Sequence, residues 1–261
     1  MSRQLLIYNE VIPVSFSRHS DLSIKATGRY DFARHVNSVP LVASEILPAS
    51  AEYPVVFAVG DDGAFPVALF GVDEGLNLYV GDDGRWLGRY VPAFLRRYPF
   101  VFSTADEGRK LTLCVDESYE GCNREGRGER LFDADGEQTQ HLKSTLEFLQ
   151  QYQVEFERTR QFCKSLQQQG LLEPMSARFN LPDGAPRVLG GFSSVSRPKL
   201  RALAPDALQK MAQGDELELA YAQMHSMTHF ANLVERLGTR AGAGAGGAPL
   251  VAAGAEMPQA G

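Results

Sequence analysis

The stretch after Thr139 constrains this chain more than any other. Leu142, Leu149, Phe156 and Cys163 recur every seven residues, and Thr145, Tyr152, Thr159 and Leu166 interleave three positions further on. Two series with that spacing form one apolar stripe along an α-helix. The pattern predicts a helix of about seven turns, with Thr139 as its cap, Gly170 as its stop and Pro174 preventing its resumption. Threonines and a cysteine within the stripe, and aromatics beside it, suit packing on a sheet better than a free coiled coil.

The segments before that helix read as strands. In "YPVVFAVGDDGAFPVALFGV", the apolar runs Val55–Val59 and Phe65–Val72 flank Asp61-Asp62-Gly63, a hairpin signal because Asp and Gly accept the backbone of tight turns. "LNLYVGDDGRWL" repeats the logic and predicts a strand over Leu76–Val80, followed by a turn at Gly81-Asp82-Asp83-Gly84. Lys110–Ser118 alternates Leu111, Leu113 and Val115 and predicts another strand. Together these runs suggest a mostly antiparallel, meandering sheet. After the long helix, Ser176–Val195 predicts a further hairpin turning at Pro182-Asp183-Gly184. It echoes the first hairpin, either by a degenerate duplication or because Asp-Gly turns share their chemistry.

Two helices are expected next. Pro205-Asp206 opens one that runs to Gln213, with Gly214 as its stop. The other runs from Glu216 to Leu237 on a stripe of Leu217, Ala220, Met224, Met227, Ala231 and Val234. Beyond Gly238 the sequence turns to low-complexity Gly and Ala, a composition expected to stay disordered. The expected architecture is one α+β domain over residues 1–237, with antiparallel β hairpins packed against two or three helices, one of them long and amphipathic. Residues 238–261 form a tail.

Composition narrows the function classes. At 261 residues, 44% hydrophobic and 22% charged, the chain needs neither a metal nor disulfides to hold a core. A net charge of −6 argues against general nucleic-acid binding, which neutralises many phosphates with Lys and Arg. Cys114, Cys122 and Cys163 lack CxxC spacing and make neither a disulfide framework nor a zinc site. Cys163 reads as a buried small hydrophobe, and Cys114 and Cys122 as reduced thiols, although those two can pair in principle. The N-terminus has only a three-residue apolar run, Leu5–Ile7, and no stretch approaches the ~18 apolar residues of a membrane span. The expected compartment is the cytoplasm.

Few motifs carry chemistry. "HSMTH" puts His225 and His229 on one helix face, with Glu218 on the same face, a set that can hold zinc or iron. That face is opposite the apolar stripe and lacks the glutamate of HExxH, so it reads as solvated. There is no GxSxG, no P-loop and no GxGxxG before a helix, and "SRHSD" (Ser17–Asp21) is mere adjacency. The pairs Asp73-Glu74 and Asp116-Glu117 sit at expected strand ends and fit turn composition as well as acid–base work. No catalytic residue and no cofactor is assigned.

"RYVPAFLRRYPF" (Arg89–Phe100) is the candidate binding stretch. Pro92 and Pro99 bracket a short helix of about two turns. Val91, Phe94, Leu95 and Tyr98 share its inner face, while Arg89, Arg96 and Arg97 gather at an outward basic edge. Those guanidiniums can clasp a carboxylate from the sheet, Asp116 or Glu117 for example, or contact a partner or an anionic ligand.

Several blocks together resemble the bacterial SapC family, named for a component associated with a paracrystalline surface layer. They are "YPVVFA", "FPVALFGVDEGLNLYV", "RYVPAFLRRYPFVF", "GERLFDADGEQT", "GLLEP" and "GFSSVSRPKLRAL". They cover about residues 50 to 237 in the expected order. The resemblance implies a surface-layer or cell-envelope role, a protein partner in that assembly and no established catalysis or cofactor. It also implies cell-surface association, at odds with a chain that shows no export signal. The alternative is a small-molecule or anion-binding protein, or an enzyme, with a pocket near Arg89, Arg96 and Arg97.

Overall fold

In the computed structural model, residues 6–61, 63–105, 110–180 and 186–244 are described. The chain enters through β1 (Val11–Pro13), the single turn α1 (Phe16–His19), β2 (Ser23–Ile24) and β3 (Ser38–Pro40). Helix α2 (Ile46–Ser50) leads to the hairpin β4 (Val55–Gly60) and β5 (Gly63–Leu69), and the turn α3 (Ala93–Arg96) to the hairpin β6 (Phe100–Ala105) and β7 (Lys110–Asp116). Short strands β8 (Cys122–Asn123) and β9 (Glu129–Arg130) precede the long helix α4 (Gln140–Gln168). Then come β10 (Leu172–Asn180), β11 (Pro186–Val195), α5 (Arg197–Arg201), α6 (Pro205–Gln213), α7 (Glu216–Ser226) and α8 (Phe230–Gly244).

The fold is α+β, with every described strand pairing antiparallel. The strands do not form one meander. They fall into three sheets, ordered β10-β11-β4-β5-β3, β1-β7-β6 and β8-β2-β9. The first hairpin closes at Gly60↔Gly63, as its turn residues require, and the two similar hairpins lie side by side in the five-stranded sheet. The turn expected at Pro182-Asp183-Gly184 lies outside the described residues.

Helix α4 joins the layers. The Thr139 hydroxyl accepts from the Leu142 amide at its start, and Gly170 takes a left-handed φ of 65° just after its end. At 29 residues it is longer than the seven turns expected and spans about 43 Å. Leu142 and Leu149 pack with Phe100, Val115 and Leu131 against the β1-β7-β6 sheet. Phe162, Cys163 and Leu166 pack with Phe57 and Val195 of the five-stranded sheet, together with Met211 and Ala220 from α6 and α7. The stripe therefore covers two sheets, and Phe162 joins it while Phe156 stays only half-buried.

Three expectations need correction. Leu76–Val80 is not a strand. Leu78, Tyr79 and Val80 are buried in succession in a loop anchored by Asn77, whose side chain donates to Ala33 O at 3.0 Å and accepts from Tyr79 N at 2.8 Å. The helix expected over Glu216–Leu237 breaks at a 3-10 turn, Met227–His229. Its inner face also carries Gln223 and Ser226, both fully buried, while Ala231 is exposed. Finally, Gly238 does not end the last helix. The helix continues to Gly244, and Arg240 Nη1 donates to Asn77 O at 2.9 Å. Among the described residues no helix is long and apolar enough to cross a membrane.

Candidate functional site

The Arg89–Phe100 stretch is pinned from beneath by Glu45, a buried residue at the start of α2. Its Oε1 accepts from the Tyr90 hydroxyl at 2.7 Å and the Ala93 amide at 2.6 Å, and its Oε2 accepts from the Val42 amide at 3.1 Å. Burial, and then the Glu45 carboxylate, push the Tyr90 phenol above its ordinary range, so its hydroxyl remains a donor. Helix α3 is one turn rather than two, with Phe94 and Leu95 buried as expected.

The three arginines do not share a basic edge. Successive residues on a helix point about 100° apart, and Arg96 and Arg97 diverge accordingly. Arg97 is inside, only 3% exposed, with its guanidinium carbon 4.3, 5.0 and 5.6 Å from the ring centres of Phe94, Tyr152 and Tyr8. Cation–π attraction and stem packing contribute to that position. Arg96 is about half exposed. It donates to Val91 O at 2.9 Å, lies 4.0 Å from Glu45 and stands over the Phe148 ring. The carboxylate clasped near the outward side chain is thus Glu45, a residue that sequence patterning did not single out.

Asp116 and Glu117 serve other partners. Burial acts to raise the Asp116 carboxyl. Hydrogen bonds from Ser118, the Asn9 and Glu10 amides and the Ser118 amide outweigh it and hold the group below its ordinary value. Those bonds tie the segment before β1 to the end of β7. Glu117 pairs with Arg18 at 2.6 Å and with the buried His19 at 2.9 Å. The "SRHSD" cluster is therefore a structural tie.

Arg89 belongs to a different place. It lines a groove of about 1070 Å³ between the loop after Leu78 and α8. Arg236, Arg240, Asn232, Glu235 and Thr239 of α8 line it too, with Glu52, Asp82, Asp83 and Leu87 from the remaining walls. The Glu52 carboxylate shapes the rim, accepting from the Arg89 amide at 2.8 Å and the Tyr90 amide at 3.0 Å. Gly88 is required just before, because any side chain there would strike the Tyr53 hydroxyl and the Trp86 indole nitrogen. Arg236 lies 4.2 Å from the centre of the Tyr79 ring. Burial raises the Tyr79 phenol and the nearby guanidinium acts against that rise. Sequence reading missed Glu52, Arg236 and Arg240. The spacing of the last two by one helical turn was the available signal, hidden by the expectation that the helix stops at Gly238.

His225 is exposed and His229 half-buried, and His229 Nδ1 is 2.9 Å from the Asn232 side-chain nitrogen. Glu218 is exposed, and no metal-holding group of three such residues occurs among the described residues. All three cysteines are free. Burial pushes the Cys163 thiol up to about 12 and, with Asp116 nearby, the Cys122 thiol up to about 11, and it raises Cys114 as well. Such thiols are weak nucleophiles.

No curated protein and no solved structure matches the chain. A family model, SapC, matches residues 14–233, which takes in the β4-β5, β6-β7 and β10-β11 hairpins, α4 and the groove's loop wall. The chain belongs to the SapC family.

Proposed function

We propose that this chain serves surface-layer or cell-envelope assembly as a binding protein, docking a protein partner in the groove between the Leu78–Arg89 loop and α8. The groove carries the reading. It combines a large open volume of about 1070 Å³ with charges of both signs and the half-exposed apolar Leu87 at its rim. Protein docking surfaces set a polar rim around apolar contacts and are enriched in Arg. Arg89 is the partner contact. Arg96 and Arg97 support the scaffold that presents it.

The test is an affinity pull-down from cells of the source organism, with cell fractionation, using the full chain and its Arg89→Glu variant. The expected result is a partner in the envelope fraction that is retained by the wild-type chain and lost by the variant. Recovery of the chain away from the envelope with no partner, or capture indifferent to Arg89→Glu, would refute the proposal. Fractionation reports the compartment in the same experiment.

A further inference from the structure

We infer that the groove beside α8 takes an extended peptide segment of mixed charge, its carboxylates held by Arg89, Arg236 and Arg240 and its donors by Asp82 and Glu235. This rests on the groove being the docking site.

Several charges in the groove are already committed. Both Glu52 oxygens accept main-chain amides of Arg89 and Tyr90. Asp83 accepts from the Arg85 amide at 3.0 Å and lies 3.6 Å from the Arg85 guanidinium. Arg236 stacks on Tyr79, and Arg240 gives one N–H to Asn77 O. A guanidinium has five N–H donors, so Arg240 retains most of its capacity. Among the described residues, the Arg89 guanidinium and the Asp82 and Glu235 carboxylates make no ion pair. The uncommitted groups are therefore guanidinium donors together with two carboxylates.

The sign balance selects the ligand class. Three arginines face four carboxylates, Glu52, Asp82, Asp83 and Glu235, so the lining carries 3 − 4 = −1. A polyphosphate or nucleic acid gains affinity by neutralising many phosphates on a positive surface. This lining repels such a polymer, as does a whole chain at −6. A peptide with both acids and donors satisfies both sets. Carboxylates suit the arginines because a guanidinium receives them through two parallel hydrogen bonds.

Spacing adds a prediction about sequence. Arg236 and Arg240 are one turn apart on α8, about 6 Å along its axis. In an extended peptide, residues i and i+2 lie on one side, about 6.6 Å apart. The preferred segment therefore has two acids separated by one residue. Like charges at i and i+4 on a helix disfavour it, and a bound acidic pair removes that repulsion. The α8 wall from Asn232 to Arg240 is about 12 Å long, room for about four extended residues.

The test is selection of a random 12-residue peptide library, displayed on phage, on the full chain with counter-selection on Arg89→Glu. Chosen peptides are then synthesised and titrated by fluorescence polarisation. The expected peptides carry acid-x-acid together with a basic or hydroxyl residue. Their affinity falls at least ten-fold in Arg89→Glu and in Asp82→Lys, and inorganic polyphosphate does not displace them. Neither of these side chains holds an ion pair, so the melting temperature should stay unchanged and the loss can be assigned to binding. Arg236→Glu is a weaker probe because it also removes the contact with Tyr79. Three outcomes overturn the inference: no Arg89-dependent selection, selected peptides without acids, or displacement by polyphosphate. Peptide binding without an envelope partner in the pull-down refutes the assembly role alone. A partner lost with Arg89→Glu but unaffected by Asp82→Lys refutes the mixed-charge ligand alone.

Discussion

Gln223 should be among the most sensitive polar positions in the chain. Strands β11 and β4 pair only at Phe192↔Ala58 and Ser193↔Phe57. The same register would bring Ser194 opposite Val56 and then Val195 opposite Val55, but there the strands part. The Gln223 amide fills that gap, accepting from Val195 N at 3.0 Å and donating to Val55 O at 2.9 Å. Ser226 accepts from Val55 N at 2.9 Å, and Gln223, Ser226 and Val55 are all essentially inaccessible to water. Gln223→Leu keeps most of the volume and removes both bonds, together with the contacts of the same amide with the buried Ser194 hydroxyl at 3.1 and 3.2 Å. A buried polar group left without a partner costs about 1–3 kcal/mol. Val195 N is fully orphaned, whereas Val55 O keeps a 3.3 Å contact with Ser226 Oγ. The two together cost about 2–4 kcal/mol, and Gln223→Ala adds a cavity that raises this to about 3–5 kcal/mol. For a chain of this length these are falls in Tm of about 4–16 °C for Gln223→Leu and about 6–20 °C for Gln223→Ala. Equilibrium urea unfolding should show a lower midpoint at unchanged slope, and hydrogen exchange should show the Val195 amide losing protection. A Gln223→Leu protein within about 0.5 kcal/mol of wild type, with that amide still protected, would refute the reasoning.

The two neighbouring arginines should separate in the same assay. Arg97→Ala removes a buried cation from three rings and should cost about 2–4 kcal/mol, whereas the half-exposed Arg96→Ala should cost about 1 kcal/mol or less; the reverse order would overturn the assignment of Arg97 to the scaffold. Leu149→Ala, in the buried stripe of α4, should cost about 2–5 kcal/mol in urea unfolding by leaving a cavity. Acid should weaken the Arg18–Glu117 tie. The Arg18 guanidinium, with His19, holds the Glu117 carboxyl down at about 2. Its folded value lies below its unfolded one, so its stabilisation is complete above about pH 4.5 and is lost as pH falls towards 2. Arg18 is half in solvent, so the effect is about 1 kcal/mol. A Glu117→Gln variant should lose less stability than wild type over that window, and parallel acid limbs would contradict the pairing.

Local patterning determined a good deal. The α4 stripe with its Thr139 cap and Gly170 stop, the Asp61-Asp62-Gly63 hairpin, the Lys110–Asp116 strand and the Pro205–Gln213 helix each follow from residues near in sequence. Their physics is local too: periodic burial, a capping hydroxyl and a backbone that only certain residues accept. Family membership was equally legible, because it rests on ordered blocks of residues. What only the tertiary structure decided is what those elements meet. Leu76–Val80 reads as the apolar run of a strand, but Leu78–Val80 is buried in a loop that Asn77 anchors with side-chain bonds in place of a ladder. Gln223 and Ser226 were no part of the expected apolar stripe, yet both are buried where two strands part. Arg97 and Arg96 are adjacent in sequence, yet one lies among rings supplied by Tyr8 and Tyr152 and the other faces water. Arg89 becomes part of a groove only because α8 packs opposite it, and the continuation of α8 past Gly238 adds Arg240 to the wall that Arg236 begins. Periodicity reports which face of an element is apolar. The partners of a charge come from segments far along the chain, and only the packing of those segments brings them within reach.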